Sequence, residues 1–348
     1  MIVIYLDNKI KGAINQLISY FLEGIFDKDK TLVVFKFYFK SYFYYKKELR
    51  KYGIKYICFY KNPKLENVKI IFYPFNAQSN CKMLANYKAK HIFITHGESN
   101  KLSSIKPIIR IYDYIFCAGD VGILRHLKYK NCNELDIKNK KIIKLGDTFV
   151  GCNNYERDLK SFSILYAPTW EGGLKSECYT SLSKDLKSFK IIAEFAKNHA
   201  CNEILLQAHP NTGHRDFRYK IYLMQGEKFL KSLGFVVKKV GWYYNTNIKN
   251  YKIFHAFTDI SAMEIGLLNK NIPMNIFFTN AKNSMIDDGL LNDYYEKINA
   301  YNIDLNFNYD EYLKKVKNKY IGYTFDNLCN LSKNKRLEVI IDFILKNH

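Results

Sequence analysis

The sequence predicts an α/β protein built of two Rossmann-like domains that face each other across a cleft. Short runs of β-branched and aromatic residues alternate with longer amphipathic stretches along the whole chain, a pattern typical of strands and helices around parallel sheets. The length of 348 residues also exceeds the size at which one hydrophobic core usually stops growing. Two domains are therefore expected.

The first half of the chain contains seven strand candidates, all short and apolar: Ile2–Leu6, Thr31–Phe37, Tyr56–Tyr60, Val68–Tyr73, His91–Thr95, Tyr114–Cys117 and Lys141–Leu145. The stretches between them have helical periodicity at Gly12–Phe26, Tyr44–Tyr52, Ala77–Lys88 and Gly122–Tyr129. Because the strands are apolar almost throughout, a parallel sheet covered on both faces is expected.

The second half repeats this alternation after a change in composition. Between Gly146 and Lys160 the periodicity is lost and Gly, Asn and Asp gather, so this segment is the predicted linker between domains at 1–150 and 151–348. Strands are then expected at Ser163–Tyr166, Glu203–Ala208, Val236–Val240, Lys252–Phe257 and Ile276–Phe278. Helices are expected at Lys184–His199, Lys220–Leu233, Met263–Leu268 and Lys335–Lys346. The last of these helices could pack back on the first domain.

The net charge of +21 indicates an anionic partner, which could be nucleic acid, an anionic membrane surface or a phosphorylated substrate. The charge is spread out and no nucleic-acid-binding signature is present, so no nucleic-acid partner is expected. The eight cysteines include no C-x-x-C pair, and the N-terminus does not read as a signal peptide. No apolar run reaches the roughly 18 residues of a spanning helix. A cytoplasmic protein in peripheral contact with an anionic membrane is therefore expected.

Four segments directly follow predicted strands, where ligands of open α/β sheets bind. The first is His96-Gly97, followed by Lys101. Because the pKa of histidine is near neutral, His96 is a candidate general base, and Lys101 is a candidate phosphate ligand. A plain loop histidine is the alternative. The second segment is Tyr166-Ala167-Pro168-Thr169-Trp170, which reads as a ligand loop or as a packing turn.

The third segment is His209-Pro210, in which the proline holds His209 extended so that its ring can donate to a diphosphate oxygen. A satisfied surface histidine is the alternative. The fourth runs from Thr258 through Asp259, Ser261 and Ala262 to Glu264, where a strand enters a helix N-terminus and forms an anion site. The two hydroxyls are predicted to contact phosphate, and Glu264 the ribose. A Ser261–Glu264 capping box is the structural alternative.

Two common phosphate-binding motifs are missing from the sequence, and none of the four segments contains a metal-binding motif. Neither the Walker-type G-x-x-x-x-G-K-[ST] loop nor G-x-G-x-x-G occurs, so P-loop and simple dinucleotide-binding classes lack support. The only Asp-x-Asp sequence, Asp27-Lys28-Asp29, lies outside the four segments that follow strands. We therefore expect neither a metal nor a cofactor.

In this order, the four segments resemble those of the CDP-glycerol glycerophosphotransferases, the teichoic-acid polymerase and primase group, which has a GT-B fold. His96-Gly97-x-x-x-Lys101 is similar to that family's His-Gly-x-x-x-Lys, and Tyr166–Trp170 to its most distinctive pentapeptide. Further similar stretches are Asp113-Tyr114-Ile115, Leu145-Gly146, His209-Pro210, Thr258-Asp259-x-Ser261 and Pro273. The chain departs from the family at Asp147-Thr148-Phe149 in place of Pro-Arg-x-Asp, at Glu171 in place of Arg and at Ala262 in place of Ser.

The resemblance implies transfer of a polyol phosphate, or a related group, from a CDP-activated donor to a hydroxyl of a capsule, teichoic-acid-like or other cell-surface glycan. The implied catalytic residues are His96, which would deprotonate the acceptor hydroxyl, and His209, which would hold the diphosphate together with Thr258 and Ser261. The other implied nucleotide and phosphate ligands are Lys101, Thr169, Trp170, Pro210, Asp259, Ala262 and Glu264. The domain at 1–150 would face the acceptor and the membrane, and that at 151–348 would bind the donor.

Two other functions stay open. A GT-B glycosyltransferase with a CMP- or nucleoside-diphosphate-sugar donor, similar to bacterial sialyltransferases, would also use a His-Pro motif. Its acidic Asp-Asp-Gly motif precedes the His-Pro, however, whereas Asp287-Asp288-Gly289 follows it here. The other function is a basic nucleic-acid- or membrane-binding module without catalysis, based on the interleaved aromatics and lysines of Lys36–Lys55.

Overall fold

The computed structural model describes residues 1–95, 97–146, 154–244, 246, 250–278, 292–304 and 308–346. His96, Asp287-Asp288-Gly289 and part of the predicted linker lie outside these described residues. The chain forms two compact units. Unit 1 consists of Met1–Glu98, Ile105–Val150 and Lys319–His348, and unit 2 consists of Ser99–Ser104 and Gly151–Asn318.

Unit 1 is built on a seven-stranded parallel sheet. Its strands are β1 (Ile2–Leu6), β2 (Thr31–Lys36), β3 (Tyr56–Phe59), β4 (Ile70–Tyr73), β5 (Lys90–Phe93), β6 (Tyr114–Cys117) and β7 (Ile142–Lys144). They lie in the order β3-β2-β1-β4-β5-β6-β7, with every neighbouring pair parallel. The connecting helices are α1 (Gly12–Leu22), α2 (Phe39–Lys51), α3 (Cys81–Asn86), α4 (Asp120–Lys128) and α5 (Glu134–Lys138).

The central strands of this sheet are buried on both faces. Val3 and Ile4 are consecutive residues of β1 whose side chains point to opposite faces, and both are fully buried. All four residues of β4 are also buried. On one face, Val3, Tyr5 and Tyr73 share a core with apolar residues of the neighbouring strands. These strands therefore read as continuous apolar runs in the sequence.

Unit 2 is built on a five-stranded parallel sheet and a separate two-stranded one. The strands are β8 (Tyr155–Arg157), β9 (Ser163–Ala167), β10 (Glu203–Leu206), β11 (Val236–Lys239), β12 (Tyr251–Ile253), β13 (His255–Asp259) and β14 (Met274–Phe277). The larger sheet has the order β11-β10-β9-β13-β14, and β12 pairs with β8. The helices are α6 (Lys187–Asn198), α7 (Arg218–Ser232), α8 (Met263–Asn269), α9 (Asn292–Lys297) and α10 (Tyr309–Tyr320); the last helix, α11 (Lys333–Lys346), belongs to unit 1.

The predicted α/β class and the Rossmann-like organisation of each unit are confirmed, but several element predictions were wrong. The predicted linker contains β8, and the predicted strand Lys252–Phe257 divides into β12 and β13. The division occurs at Phe254, whose amide bonds to the Ser163 carbonyl as the chain passes from one sheet to the other. Within the described residues, no helix is long and apolar enough to cross a membrane.

Candidate functional site

The candidate site lies where the strand order of unit 2 reverses. Strands β9, β10 and β11 run outward to one side, and β13 and β14 to the other. The chain therefore leaves the carboxyl ends of β9 and β13 in opposite directions, which opens a crevice between them. Pro168 follows β9, and Ile260 follows β13. Ligands of doubly wound sheets bind at this position.

Asp259 ties the two sides of this crevice together. It is the last residue of β13 and is 0% exposed. One carboxylate oxygen accepts a hydrogen bond from the Thr169 amide at 2.6 Å, and the other accepts from the Ser181 amide at 3.1 Å. Burial raises the pKa of Asp259 to about 7, against the opposing effects of these hydrogen bonds and of Lys101. The carboxyl group thus fixes the main chain after β9.

Lys101 reaches the same place from the segment Ser99–Ser104, which belongs to unit 2. Its Nζ donates to Thr169 Oγ1 at 2.6 Å and lies 5.6 Å from the centre of the Tyr179 ring. The hydroxyl of Tyr179 in turn accepts from the Leu102 amide at 3.1 Å. Burial lowers the pKa of Lys101 to about 8, and the charge of Asp259 offsets part of that decrease. The structure therefore brings two predicted phosphate ligands, Lys101 and Thr169, into contact.

The hydroxyls after β13 are engaged within the protein. Thr258 is 0% exposed, and its hydroxyl donates to the Ala167 carbonyl at 3.1 Å. The same oxygen lies 3.1 Å from Ser261 Oγ, which accepts from the Met263 amide at 3.3 Å. Thr258 is thus placed to position Ser261. The phosphate contacts predicted for both residues stay predictions.

The capping box, the structural alternative for Ser261 and Glu264, does not form. Helix α8 begins at Met263 with Ala262 at the N-cap, and the side chain of this N-cap residue makes no capping hydrogen bond. Glu264 is 1% exposed, and its carboxylate accepts from the Tyr295 hydroxyl at 2.7 Å. The Tyr295 oxygen also accepts from Asn100 Nδ2 at 2.8 Å. The Glu264 carboxylate thus bonds to a distant tyrosine instead of to the main chain at the helix start. The ribose contact of Glu264 stays a prediction.

The His209-Pro210 loop follows β10, next to β9 in the sheet. The ring of His209 lies nearly parallel to that of Trp170, with 5.8 Å between the ring centres and 15° between the planes. The Asn211 amide donates to His209 Nδ1 at 3.1 Å. Because Nδ1 accepts a hydrogen bond here, it is the unprotonated nitrogen of a neutral ring, whose own proton lies on Nε2. Half-buried Pro210 follows directly. The arrangement presents His209 Nε2 as a hydrogen-bond donor.

Glu171 is a site residue that the sequence did not reveal. In the sequence, a glutamate directly after Trp170 only indicates a change of charge from the arginine of the similar family. In the structure the residue is 0% exposed. Its oxygens accept from the amides of Gly213 and Arg215 at 2.9 and 2.8 Å. The only signal in the sequence is the pair of glycines that flank this contact, Gly172 and Gly213.

His96 itself lies outside the described residues, but its neighbours in unit 1 are fixed. Thr95 and Gly97 have left-handed φ angles of 59° and 132°. The Thr95 carbonyl accepts from the buried Tyr20 hydroxyl. The Glu98 carboxylate accepts from the Ala118 amide at 2.7 Å and from Arg125 Nη1 at 2.8 Å. Left-handed backbone at a non-glycine residue is held in place only by its surroundings, and such positions cluster at functional sites.

Comparisons with known proteins identify the fold. No protein-family model and no curated protein matches the chain. A putative UDP-N-acetylglucosamine 2-epimerase from Listeria monocytogenes is 10% identical, with 98% of this chain and 94% of that chain covered and a TM-score of 0.53. The UDP-GlcNAc 2-epimerase from Neisseria meningitidis bound to UDP-GlcNAc is 12% identical, with 99% and 100% covered and a TM-score of 0.49. Anabaena HepE in complex with UDP is 10% identical, with 98% and 100% covered and a TM-score of 0.46.

At this level of identity the likeness concerns the fold alone. It agrees with the strand orders of the two units, each of which is a doubly wound parallel sheet. The motifs of the CDP-glycerol glycerophosphotransferases are not accompanied by a matching family model. The fold predicted from the sequence is thus confirmed: the chain is an α/β protein of the GT-B type with two Rossmann-like units.

Proposed function

We propose that this protein is a transferase whose donor is a nucleoside diphosphate derivative bound by unit 2. The observation that carries the proposal is the meeting of Lys101 Nζ and Thr169 Oγ1, 2.6 Å apart, at the switch point of the sheet. Through Thr169, the ammonium group of Lys101 lies just beyond the carboxyl end of β9. Ligands of parallel sheets bind at this end, and a lysine charge there suits a phosphate. His209, on the adjacent strand end, adds a hydrogen-bond donor at Nε2.

The transferred group is proposed to be a polyol phosphate from a CDP-activated donor. The support is the set of motifs at His96-Gly97, Tyr166–Trp170, His209-Pro210 and Thr258–Ser261 in their order along the chain. His96 takes the proton of the acceptor hydroxyl as its oxygen forms a bond to the β-phosphorus. The bond between that phosphorus and the bridging oxygen breaks, and CMP leaves with the electron pair. Lys101 and His209 stabilise the charge that develops on the diphosphate.

The acceptor is proposed to be an anionic or lipid-linked surface glycan, met at the inner face of the membrane. Two features support peripheral contact with an anionic surface. The chain carries a net charge of +21. In unit 1, helix α2 exposes Phe39 and Phe43 to 76% and 67%, with the exposed lysines Lys40 and Lys47 on the same helix. Exposed aromatic side chains beside lysines are typical of interfacial helices.

A second candidate is transfer of a sugar from a nucleotide sugar. It is favoured by the fold shared with the putative UDP-N-acetylglucosamine 2-epimerase. The same diphosphate ligands would serve, since both donor classes contain a nucleoside phosphate. The two functions differ in the product, because only polyol phosphate transfer leaves a phosphodiester.

Phosphorus NMR of the product separates these functions. The purified chain is incubated with CDP-glycerol or with a nucleotide sugar, together with a membrane fraction as the source of acceptor. Polyol phosphate transfer gives a new phosphodiester signal and CMP, whereas sugar transfer gives a glycoside. His96→Ala should abolish turnover while leaving the affinity for CDP unchanged. Full turnover in this variant would refute the base assignment.

A further inference from the structure

A buried carboxylate joins the loop after β9 to the loop after β10. Glu171 is 0% exposed, and its carboxylate accepts hydrogen bonds from the amides of Gly213 at 2.9 Å, Arg215 at 2.8 Å and Asp216 at 3.1 Å. A carboxylate removed from water is costly unless its oxygens are hydrogen-bonded. The amide donors meet that requirement, so the main chain at 213–216 is fixed by a side chain of the other loop.

Arg215 makes the return connection. Its Nε donates to the Gly172 carbonyl at 2.9 Å, and its Nη2 donates to the Glu171 carbonyl at 2.8 Å. Each loop thus holds the main chain of the other with a charged side chain. Glu171 and Arg215, with these five hydrogen bonds, are here called the loop staple.

Two glycines make the loop staple possible. Gly172 and Gly213 have φ angles of 72° and 73°, in the left-handed region that favours glycine. A Cβ at Gly172 would lie 2.4 Å from the Glu177 carbonyl oxygen, and one at Gly213 would lie 2.4 Å from Lys220 Cγ. A larger residue at either position would be strained by the left-handed φ, and at Gly172 it would also clash with the main chain of its own loop.

The loop staple lies directly beside the predicted donor ligands. Trp170 immediately precedes Glu171, and its ring faces that of His209. The His209 carbonyl accepts from both the amide and the hydroxyl of Thr212 at 2.9 Å, and Asn211 donates to the ring. The position of His209 and the tautomer of its ring therefore depend on the course of residues 211–216, which Glu171 fixes from outside that loop.

We propose that Glu171 is a positioning residue for the donor diphosphate. It acts through the loop staple, which keeps the His209 ring facing Trp170 with its proton on Nε2. The inference rests on the proposed function, in which His209 Nε2 donates to a phosphate oxygen. Because all five hydrogen bonds of the loop staple are made within the protein, the staple orders the loop for the donor, and the cost of ordering it is not subtracted from the binding energy.

The test compares Glu171→Gln with Glu194→Gln, a matched control on the exposed side of α6. The amide of glutamine turns one acceptor into a donor that faces main-chain N–H groups, so the loop staple is broken. Arg215→Met is a second variant, which leaves the Glu171 carboxylate and its amide donors in place. Urea unfolding verifies that each variant is folded.

Two quantities are measured on each protein. Long-range ¹H–¹⁵N NMR on ¹⁵N-histidine-labelled protein reports the tautomer of His209 without ligand, with His209→Ala identifying its signals. Calorimetric titration gives the Kd for CDP and for UDP. We expect the Nε2–H pattern in the wild type and in Glu194→Gln. In Glu171→Gln we expect mixed tautomers and a Kd raised about tenfold or more, as for a displaced ligand-binding group. Arg215→Met should change both quantities in the same direction.

An unchanged tautomer and an unchanged Kd in both Glu171→Gln and Arg215→Met would overturn the positioning role. Failure of the proposed function has a different signature. In that case Glu171→Gln changes the tautomer, but His209→Ala binds CDP and UDP as tightly as the wild type. That result would overturn the connection between the loop staple and the donor.

Discussion

Lys101 illustrates how burial tunes a single side chain for its proposed role. Its ammonium group contacts Thr169 and lies over the Tyr179 ring. Because burial lowers its pKa from 10.5 to about 8, the group is charged below that pH and increasingly neutral above it. A diphosphate bound beside it would stabilise the charged form and raise this pKa.

The pH dependence of nucleotide affinity follows from this pKa. The Kd for CDP should rise as the pH increases through about 8, since Lys101 loses its charge in that range. Lys101→Met should bind more weakly at neutral pH and lose this part of the pH dependence. Calorimetric titration from pH 6 to pH 10 measures both effects. A wild-type affinity that is flat across this range would contradict the role of Lys101.

The pKa of Asp259 is shifted in the opposite direction to that of Lys101, and this shift makes the stability of the fold depend on pH. Its pKa is raised from 3.8 to about 7 in the folded protein, so the folded state binds a proton that the unfolded chain releases. The contribution to stability is complete below pH 4 and is lost as the pH rises through about 7. Asp259→Asn removes this dependence, so the stability advantage of the wild type should shrink from pH 4 to pH 7. Urea unfolding at several pH values measures the difference in unfolding free energy between the wild type and Asp259→Asn. A difference that grows in favour of the wild type as the pH rises would contradict the account.

At the residue scale, position relative to strand ends was predictable and the partners of side chains were not. Thr169, His209 and Asp259 could be found because each follows or ends an apolar run. The burial of Glu171 could not, because its partners lie more than 40 residues away in sequence. The capping box considered for Glu264 failed for the same reason, since the carboxylate instead accepts from the hydroxyl of Tyr295.

Among the elements, the packing of α6 on α7 depends on one glycine. A Cβ at Gly226 of α7 would lie 2.1 to 2.4 Å from the Phe189 ring of α6, which is fully buried. Gly226→Ala should therefore destabilise unit 2 by about 1–3 kcal/mol, the usual cost of overpacking, despite the higher helix propensity of alanine. Gln225→Ala, on the exposed side of the same helix, is the control. Equal denaturant midpoints for both variants would contradict this packing.

The elements also explain which predictions from sequence succeeded. Strands such as β1 and β6 are continuously apolar and were predicted with their observed bounds. Helix α10 was not predicted, although Leu313, Val316 and Tyr320 are buried at helical spacing. The lysines that are abundant along the whole chain also occupy most positions between these residues and mask the apolar stripe. Composition bias thus hides helices more than it hides buried strands.

At the scale of the whole molecule, the positive charge and the exposed aromatics of α2 predict binding to anionic lipid. The chain should sediment with phosphatidylglycerol vesicles at low salt and be released at high salt, where surface charges are screened. Replacing Phe39 and Phe43 by serine should weaken this binding. Phe217→Ser, which changes an aromatic residue exposed to 64% in unit 2, should leave it intact. Equal sedimentation of all variants would contradict a membrane contact through α2.

The central claim is that the switch point of unit 2 binds the diphosphate of the donor. It is tested most directly by calorimetric titration of CDP and UDP into the wild type, Lys101→Met, His209→Ala and Lys190→Met, an exposed control on α6. The account predicts binding of at least one nucleotide by the wild type and the control, and a Kd about tenfold higher or more in the two site variants, as expected for loss of a charge-assisted hydrogen bond. Equal affinities in all four proteins would contradict it.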